Sequence, residues 1–99
     1  MSTPSAPVPV HLPDSSRFEV TEPEGTAVLT YLLRDDEVVL EHTVVPPELG
    51  GRGIGSVLAR AALAWAAQRS LAVVPRCPFV QSFVERHPHE VHVELRPDA

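Results

Sequence analysis

Val44-Val45-Pro46-Pro47-Glu48-Leu49-Gly50-Gly51-Arg52-Gly53-Ile54-Gly55-Ser56 is the stretch on which the fold turns. Its first residues close a β-branched apolar run, Val38 to Val45 (VVLEHTVV), that reads as a strand, and the proline pair ends that strand because proline has no N–H to give a ladder. Beyond the glycines, apolar residues recur at Ile54, Val57, Leu58, Ala61, Ala62 and Trp65, the spacing of one helical face. The order is therefore strand, glycine-rich loop, helix. First-turn amides of a helix have no internal acceptors and the dipole is positive there, so the junction is suited to an anion such as a diphosphate. The dinucleotide fingerprint does not fit, because Leu58 occupies the third glycine position and the preceding strand belongs to a meander. A plain strand-to-helix turn with no ligand is the competing reading.

Upstream, Arg17 to Thr21 and Thr26 to Leu33 (TAVLTYLL) read as strands joined through the turn Glu22-Pro23-Glu24-Gly25, and Arg34-Asp35-Asp36-Glu37 reverses the chain into the run at Val38. These three strands form an antiparallel meander. Downstream, Leu71 to Pro75 is a short apolar run reached through the helix, which makes it a buried strand parallel to its neighbour. Pro78 suits the first turn of a second helix carrying Phe79, Val80, Phe83 and Val84 inward, with His87-Pro88 as its stop. Val91 to Leu95 alternates like a strand but fits a loose tail equally well, and Leu63, opposite the centre of the first helix's stripe, is expected to be exposed, with an oligomer contact as the alternative. The expected class is α/β in the α+β sense, a mixed and mainly antiparallel sheet with two helices. Four prolines in the first thirteen residues make residues 1–14 an expected disordered head, leaving 15–99 as a single domain.

The chain has 99 residues, 43% of them hydrophobic, which suffices for one core and no more. All eight cations are arginine, against thirteen Asp and Glu, for a formal charge of −5. A nucleic-acid binder needs the opposite balance, and without lysine neither a Walker loop nor a Schiff-base nucleophile can be built. One cysteine, Cys77, excludes an intrachain disulfide and any zinc site of several thiolates, so a reducing, cytoplasmic setting is expected. No apolar run approaches the roughly 20 residues of a spanning helix, and no membrane role is expected. His87, His89 and His92 flank or follow Pro88 and read as a solvated segment rather than a metal site.

The loop, the strand His42-Thr43-Val44-Val45-Pro46-Pro47, the helix, and the segments Val73-Val74-Pro75-Arg76-Cys77-Pro78-Phe79 and Phe83-Val84-Glu85-Arg86-His87-Pro88 together resemble the GNAT superfamily of N-acetyltransferases, in its minimal single-domain branch of about one hundred residues. The resemblance covers about residues 17 to 90. The superfamily's pyrophosphate loop follows Gln/Arg-x-x-Gly-x-Gly/Ala; Gly53-Ile54-Gly55 matches its second half, while Gly50 stands where Gln or Arg is usual, and Arg52 compensates only in part. The resemblance implies acetyl-CoA as cosubstrate, with its pyrophosphate on the amides of Gly51, Arg52, Gly53, Ile54, Gly55 and Ser56, and its pantetheine paired with Thr43, Val44 and Val45 like an added strand. It implies an amine acceptor, a small molecule or a protein amine, and a cationic one suits the acidic chain. The acceptor pocket is then either open or completed by a second subunit in a homodimer.

Acyl transfer from a thioester to an amine needs a free amine, a polarised carbonyl and a proton for the leaving thiolate. Larger members often carry a glutamate before the loop, but Val39 occupies that position here, so Glu41, His42 and Glu48 are the nearby substitutes. Imidazole ordinarily titrates at about pH 6.5, which makes His42 the candidate base; its plainer reading is a strand histidine bonded to a neighbour. Strand alternation turns Glu41 to the opposite face from His42. Cys77, just before the helix at Pro78 and beside Arg76, sits in a context that favours a reactive thiol, as nucleophile or thiolate stabiliser, or else is a small packing residue. A chain that kept the loop but lost the base would instead be a non-catalytic acyl-CoA sensor or interaction module.

Overall fold

The computed structural model describes residues 6–98. Five strands form one sheet in chain order: β1 (Val10–Leu12), β2 (Arg17–Glu22), β3 (Gly25–Arg34), β4 (Glu37–Val44) and β5 (Ala72–Pro75). The first four pair antiparallel, and β5 pairs parallel to β4, having crossed over through α1 (Ile54–Gln68). Helix α2 (Pro78–Arg86) follows β5, with proline in its first turn. This is the expected mixed sheet with two helices, and each of the four strands and both helices read from the sequence falls within a residue or two of its expected place.

One core fills the space between the sheet and the helices. Alternate residues of β2, β3 and β4 (Phe18, Val20, Ala27, Leu29, Tyr31, Val38, Leu40) meet Leu58, Ala62 and Ala66 of α1 and Val80, Phe83 and Val84 of α2. Leu63 belongs to that core, only 3% exposed, and not to the surface as expected. Helix α2 packs against the flank of α1, so α1 buries a wider arc than a helix lying on a sheet alone.

The proline-rich head is the larger correction. Residues 1–5 lie outside the described residues, but Val10–Leu12 form β1, registered as Val10↔Glu19, His11↔Phe18 and Leu12↔Arg17. His11 stacks on Phe18 with ring centroids 4.2 Å apart and 7° between planes, and its Nε2 lies 2.7 Å from the Tyr31 hydroxyl. The edge of Trp65 closes the cluster 4.8 Å away. Prolines at positions 9 and 13 flank the strand without interrupting its ladder, which is why composition suggested a tail where an edge strand forms.

At the other end, Glu94 and Arg96 exchange backbone bonds with Val73, each 2.8 Å, so the chain's last stretch lies beside β5 around a parallel bridge at Leu95. Two features of β4 prepare the site. Its pairing with β5 stops at Leu40↔Pro75, so the two strands part from Glu41 onward. A β-bulge also breaks its register with β3: Tyr31 opposes Leu40 while Thr30 opposes His42, leaving Glu41 as the extra residue.

Candidate active site

The junction of β4 and α1 is built around backbone. After β4, Pro46 and Pro47 lead into a 3-10 turn (Pro47–Leu49) whose buried Leu49 anchors the loop. Gly51 and Gly53 then adopt φ of +78° and +73°, the left-handed region that glycine enters without strain, and Gly53 caps α1. Among the described residues, no side chain caps the helix, and the amides of Gly51, Arg52 and Gly53 donate to no backbone carbonyl. With the first-turn amides of Ile54, Gly55 and Ser56, which precede the first helical bond from Val57 to Gly53, they form a row of free donors at the positive end of the dipole.

These residues wall a cavity of about 340 Å³ lined by Gly50, Gly51, Gly53, Ile54, Gly55 and Ser56 on one side and by Thr43, Val45, Leu49 and Phe79 on the other. Most of the expected cofactor residues are therefore gathered in one place. Val44 is not: it is 56% exposed on the opposite sheet face, registered with Val28. Arg52 is not in the lining either. Its guanidinium reaches across to the β2–β3 turn and donates to both oxygens of Glu24, at 3.2 and 3.1 Å, an attachment invisible at the spacing of 28 residues. That bond holds the Glu24 carboxyl below the ordinary carboxylate range.

Gly55 has a different reason for being glycine than close approach of a ligand. A Cβ built on it would stand 2.7 Å from Phe79 Cζ and 3.1 Å from both Cε atoms. Phe79, at the start of α2, thus lies flat against the first turn of α1 and forms a wall of the cavity.

Cys77 and Thr43 are brought together where β4 and β5 part. The Cys77 thiol, 4% exposed, donates to Thr43 Oγ1 at 3.3 Å, and the Cys77 amide donates to the Leu40 carbonyl at 3.0 Å. Both side chains lie on the helix-covered face, with Leu29 opposite Thr43 in register. Arg76 turns away from the thiol; its guanidinium bonds Asp98 and Glu41 instead. His42, opposite Thr30, is exposed on the face without helices, so strand β4 itself separates it from Cys77.

The bulge overturns the expectation that Glu41 and His42 point apart. Arg76 follows Val73, Val74 and Pro75 in alternation and so falls on the helix-free face; Glu41, bonded to it at 3.3 Å, shares that face with His42. Alternation alone had no means of showing this, because the register shift is set by the partner strand. The gap between β4 and β5 therefore has a cavity and a thiol on one face and a carboxylate and an imidazole on the other.

Residues 17–93 match the family model for the GCN5-related N-acetyl-transferase. Among curated proteins, the chain is 38% identical over 73 residues to Protein NATD1 of Bos taurus, covering 72% of this chain, and 36% identical over 69 residues to the Danio rerio protein of that name. The matched segment spans 65% and 63% of the length of those two relatives. Among solved structures, a GCN5-like candidate N-acetyltransferase from Staphylococcus aureus, determined by NMR in solution, superposes with a TM-score of 0.70 at 23% identity, over 96% of this chain and 93% of that one, which establishes the shared fold. The resemblance read from the glycine loop, the strand before it and the Cys-Pro-Phe element is thus borne out, and the chain belongs to the GCN5-related N-acetyl-transferase family.

Proposed function

We propose that the chain binds acetyl-CoA in the cavity at the start of α1 and transfers the acetyl group directly to an amine at the gap between β4 and β5. The observation that carries this reading is the row of free amides from Gly51 to Ser56, facing across about 340 Å³ the end of a strand whose outer edge has lost its partner. An anion is held by such amides without a cationic side chain, which accommodates both Gly50 in place of the usual Gln or Arg and the engagement of Arg52 with Glu24. The vacant β4 edge from Glu41 onward offers main-chain donors and acceptors to the amide groups of pantetheine, as an added strand would.

With the cosubstrate on the helix-covered face, the thioester reaches the gap beside Cys77 and Thr43, and the amine enters from the face of Glu41 and His42. The amine nitrogen bonds to the thioester carbonyl carbon as the carbon–sulfur bond breaks. His42, exposed on that face, takes the amine's proton. The hydrogen-bonded Cys77–Thr43 pair stands on the side of the departing thiolate, where it can donate to the sulfur.

Cys77 separates the chemical alternatives. Direct transfer predicts that acetyl-CoA without amine leaves no hydroxylamine-sensitive adduct on the Cys77 peptide, and that Cys77→Ala lowers kcat by about tenfold while CoA affinity is retained, as expected for one lost transition-state donor. An adduct formed at the rate of turnover would make Cys77 the nucleophile instead. The proposal as a whole is tested by thiol release from acetyl-CoA over a panel of amines. CoA binding with no turnover on any amine would turn the reading to an acyl-CoA sensor.

A further inference from the structure

Arg76 stands where β4 and β5 part, and two carboxylates share its guanidinium. Its Nε and Nη2 donate to both oxygens of Asp98, at 2.9 and 3.1 Å, while Nη1 donates to Glu41 at 3.3 Å. Asp98 is the better held of the two. It reaches this place because Glu94 and Arg96 pair with Val73 along the outer side of β5, and because Arg96 fastens the segment to Asp36 and Glu37 at 3.0 Å each. Arg34, the other cation whose charge acts on Asp98, is itself bonded to Glu37 at 3.1 Å. The trio of Glu41, Arg76 and Asp98 therefore carries a net charge of −1, on the same face of the sheet as His42.

Resting on the acetyl-transfer reading, we propose that Glu41 selects a cationic acceptor, a protonated primary amine such as a lysine side chain, and that Asp98 is a positioning residue that occupies Arg76 so that Glu41 keeps its charge for the acceptor. An arginine fork takes one carboxylate on two parallel bonds. With Asp98 in that place, Glu41 meets a single longer bond and has lone pairs to spare. Without Asp98 the fork is free to close on Glu41 and cancel it. The three side chains are between about a quarter and two-fifths exposed (28 to 38%), so solvent screens the effect and its size is that of a partly exposed ion pair.

The test compares two acceptors at saturating acetyl-CoA and pH 7.5: the cation Nα-acetyl-lysine methylamide and the uncharged amine aniline. Asp98→Asn and Glu41→Gln are each expected to raise KM for the lysine amide and to lower the lysine-amide to aniline ratio of kcat/KM by about fivefold, with the kcat for lysine amide moving less than KM. Asp98→Glu should recover most of the ratio, and the double variant should be no worse than Glu41→Gln alone. An equal loss on both acceptors, or no change in the ratio, overturns the proposal. Should the wild type acetylate neither amine, the acetyl-transfer reading is decided separately by the wider amine panel. Titrating the CoA-loaded, ¹⁵N-labelled protein with the lysine amide then decides this one: shifts at Glu41 and Arg76 that vanish in Asp98→Asn support it, and their absence in the wild type overturns it.

Discussion

Gly55→Ala is expected to lower the melting temperature by roughly 5 to 15 °C, the equivalent of one to two kcal/mol in a domain of this size, and to weaken CoA binding about tenfold. The cause is a methyl group placed 2.7 Å from the Phe79 ring, in a buried position on the first turn of α1. Phe79 has to leave, and it takes with it both the contact between the starts of the two helices and one wall of the cavity. Valine at the same position should do more damage. Phe79→Ala in the Gly55→Ala background should recover part of the stability, since it removes the clash, whereas the two losses would add if the residues were independent. Gly51→Ala is the contrasting variant: nothing stands within 4 Å of its Cβ, and its cost is the backbone strain of φ +78° alone, about 1 kcal/mol. A Gly55→Ala protein that melts like the wild type would show that Phe79 does not rest on α1.

Removing residues 2–12 is expected to cost about 3 kcal/mol, or roughly 10 to 20 °C in melting temperature. The deletion takes away β1 and with it the ring that stacks on Phe18 and bonds Tyr31, leaving both aromatics and the edge of Trp65 open to water. His11 also makes the loss depend on pH. Burial, and secondarily the charge of Arg69, hold its pKa below the ordinary imidazole value, while burial raises that of the Tyr31 hydroxyl bonded to it. The folded chain thus binds fewer protons at His11 than the unfolded chain does. This contribution to stability is complete above about pH 6.5 and is lost as pH falls below it. Between pH 7.5 and 5.5 the melting temperature of the wild type should accordingly drop further than that of His11→Gln. Parallel pH dependence in the two proteins would remove His11 from the account.

That edge strand also shows what the sequence concealed. The meander, the long helix and the parallel strand were legible because each carries its own period, and the glycine loop because helix starts and glycine conformations are local matters. β1 is three residues between prolines, and its strand character comes from pairing with β2, not from anything in Val10, His11 and Leu12 alone. The site divides in the same way. The amides of Gly51–Ser56 and the proximity of Thr43 to the loop follow from chain order, whereas the bond from Arg52 to Glu24 and that from Arg76 to Asp98 join residues 28 and 22 positions apart. The bulge at Glu41 is the most consequential of these, since one extra residue in β4 puts a carboxylate beside His42 where simple alternation separates them. Leu63 was misplaced for a related reason: it lies within the core cluster, and the chain packed beside α1 is not reported by the period of α1.

The central claim is that CoA binds where the free amides of the loop face the end of β4. The measurement that meets it most directly is a titration of the ¹⁵N-labelled protein with CoA, followed by two-dimensional amide spectra. The account predicts saturable shifts at Gly51, Arg52, Gly53, Ile54, Gly55 and Ser56, with smaller ones at Thr43, Val45 and Phe79. Unmoved loop amides at millimolar CoA, or shifts gathered instead around Ser70, His92 and Arg96 at the other end of α1, would contradict it.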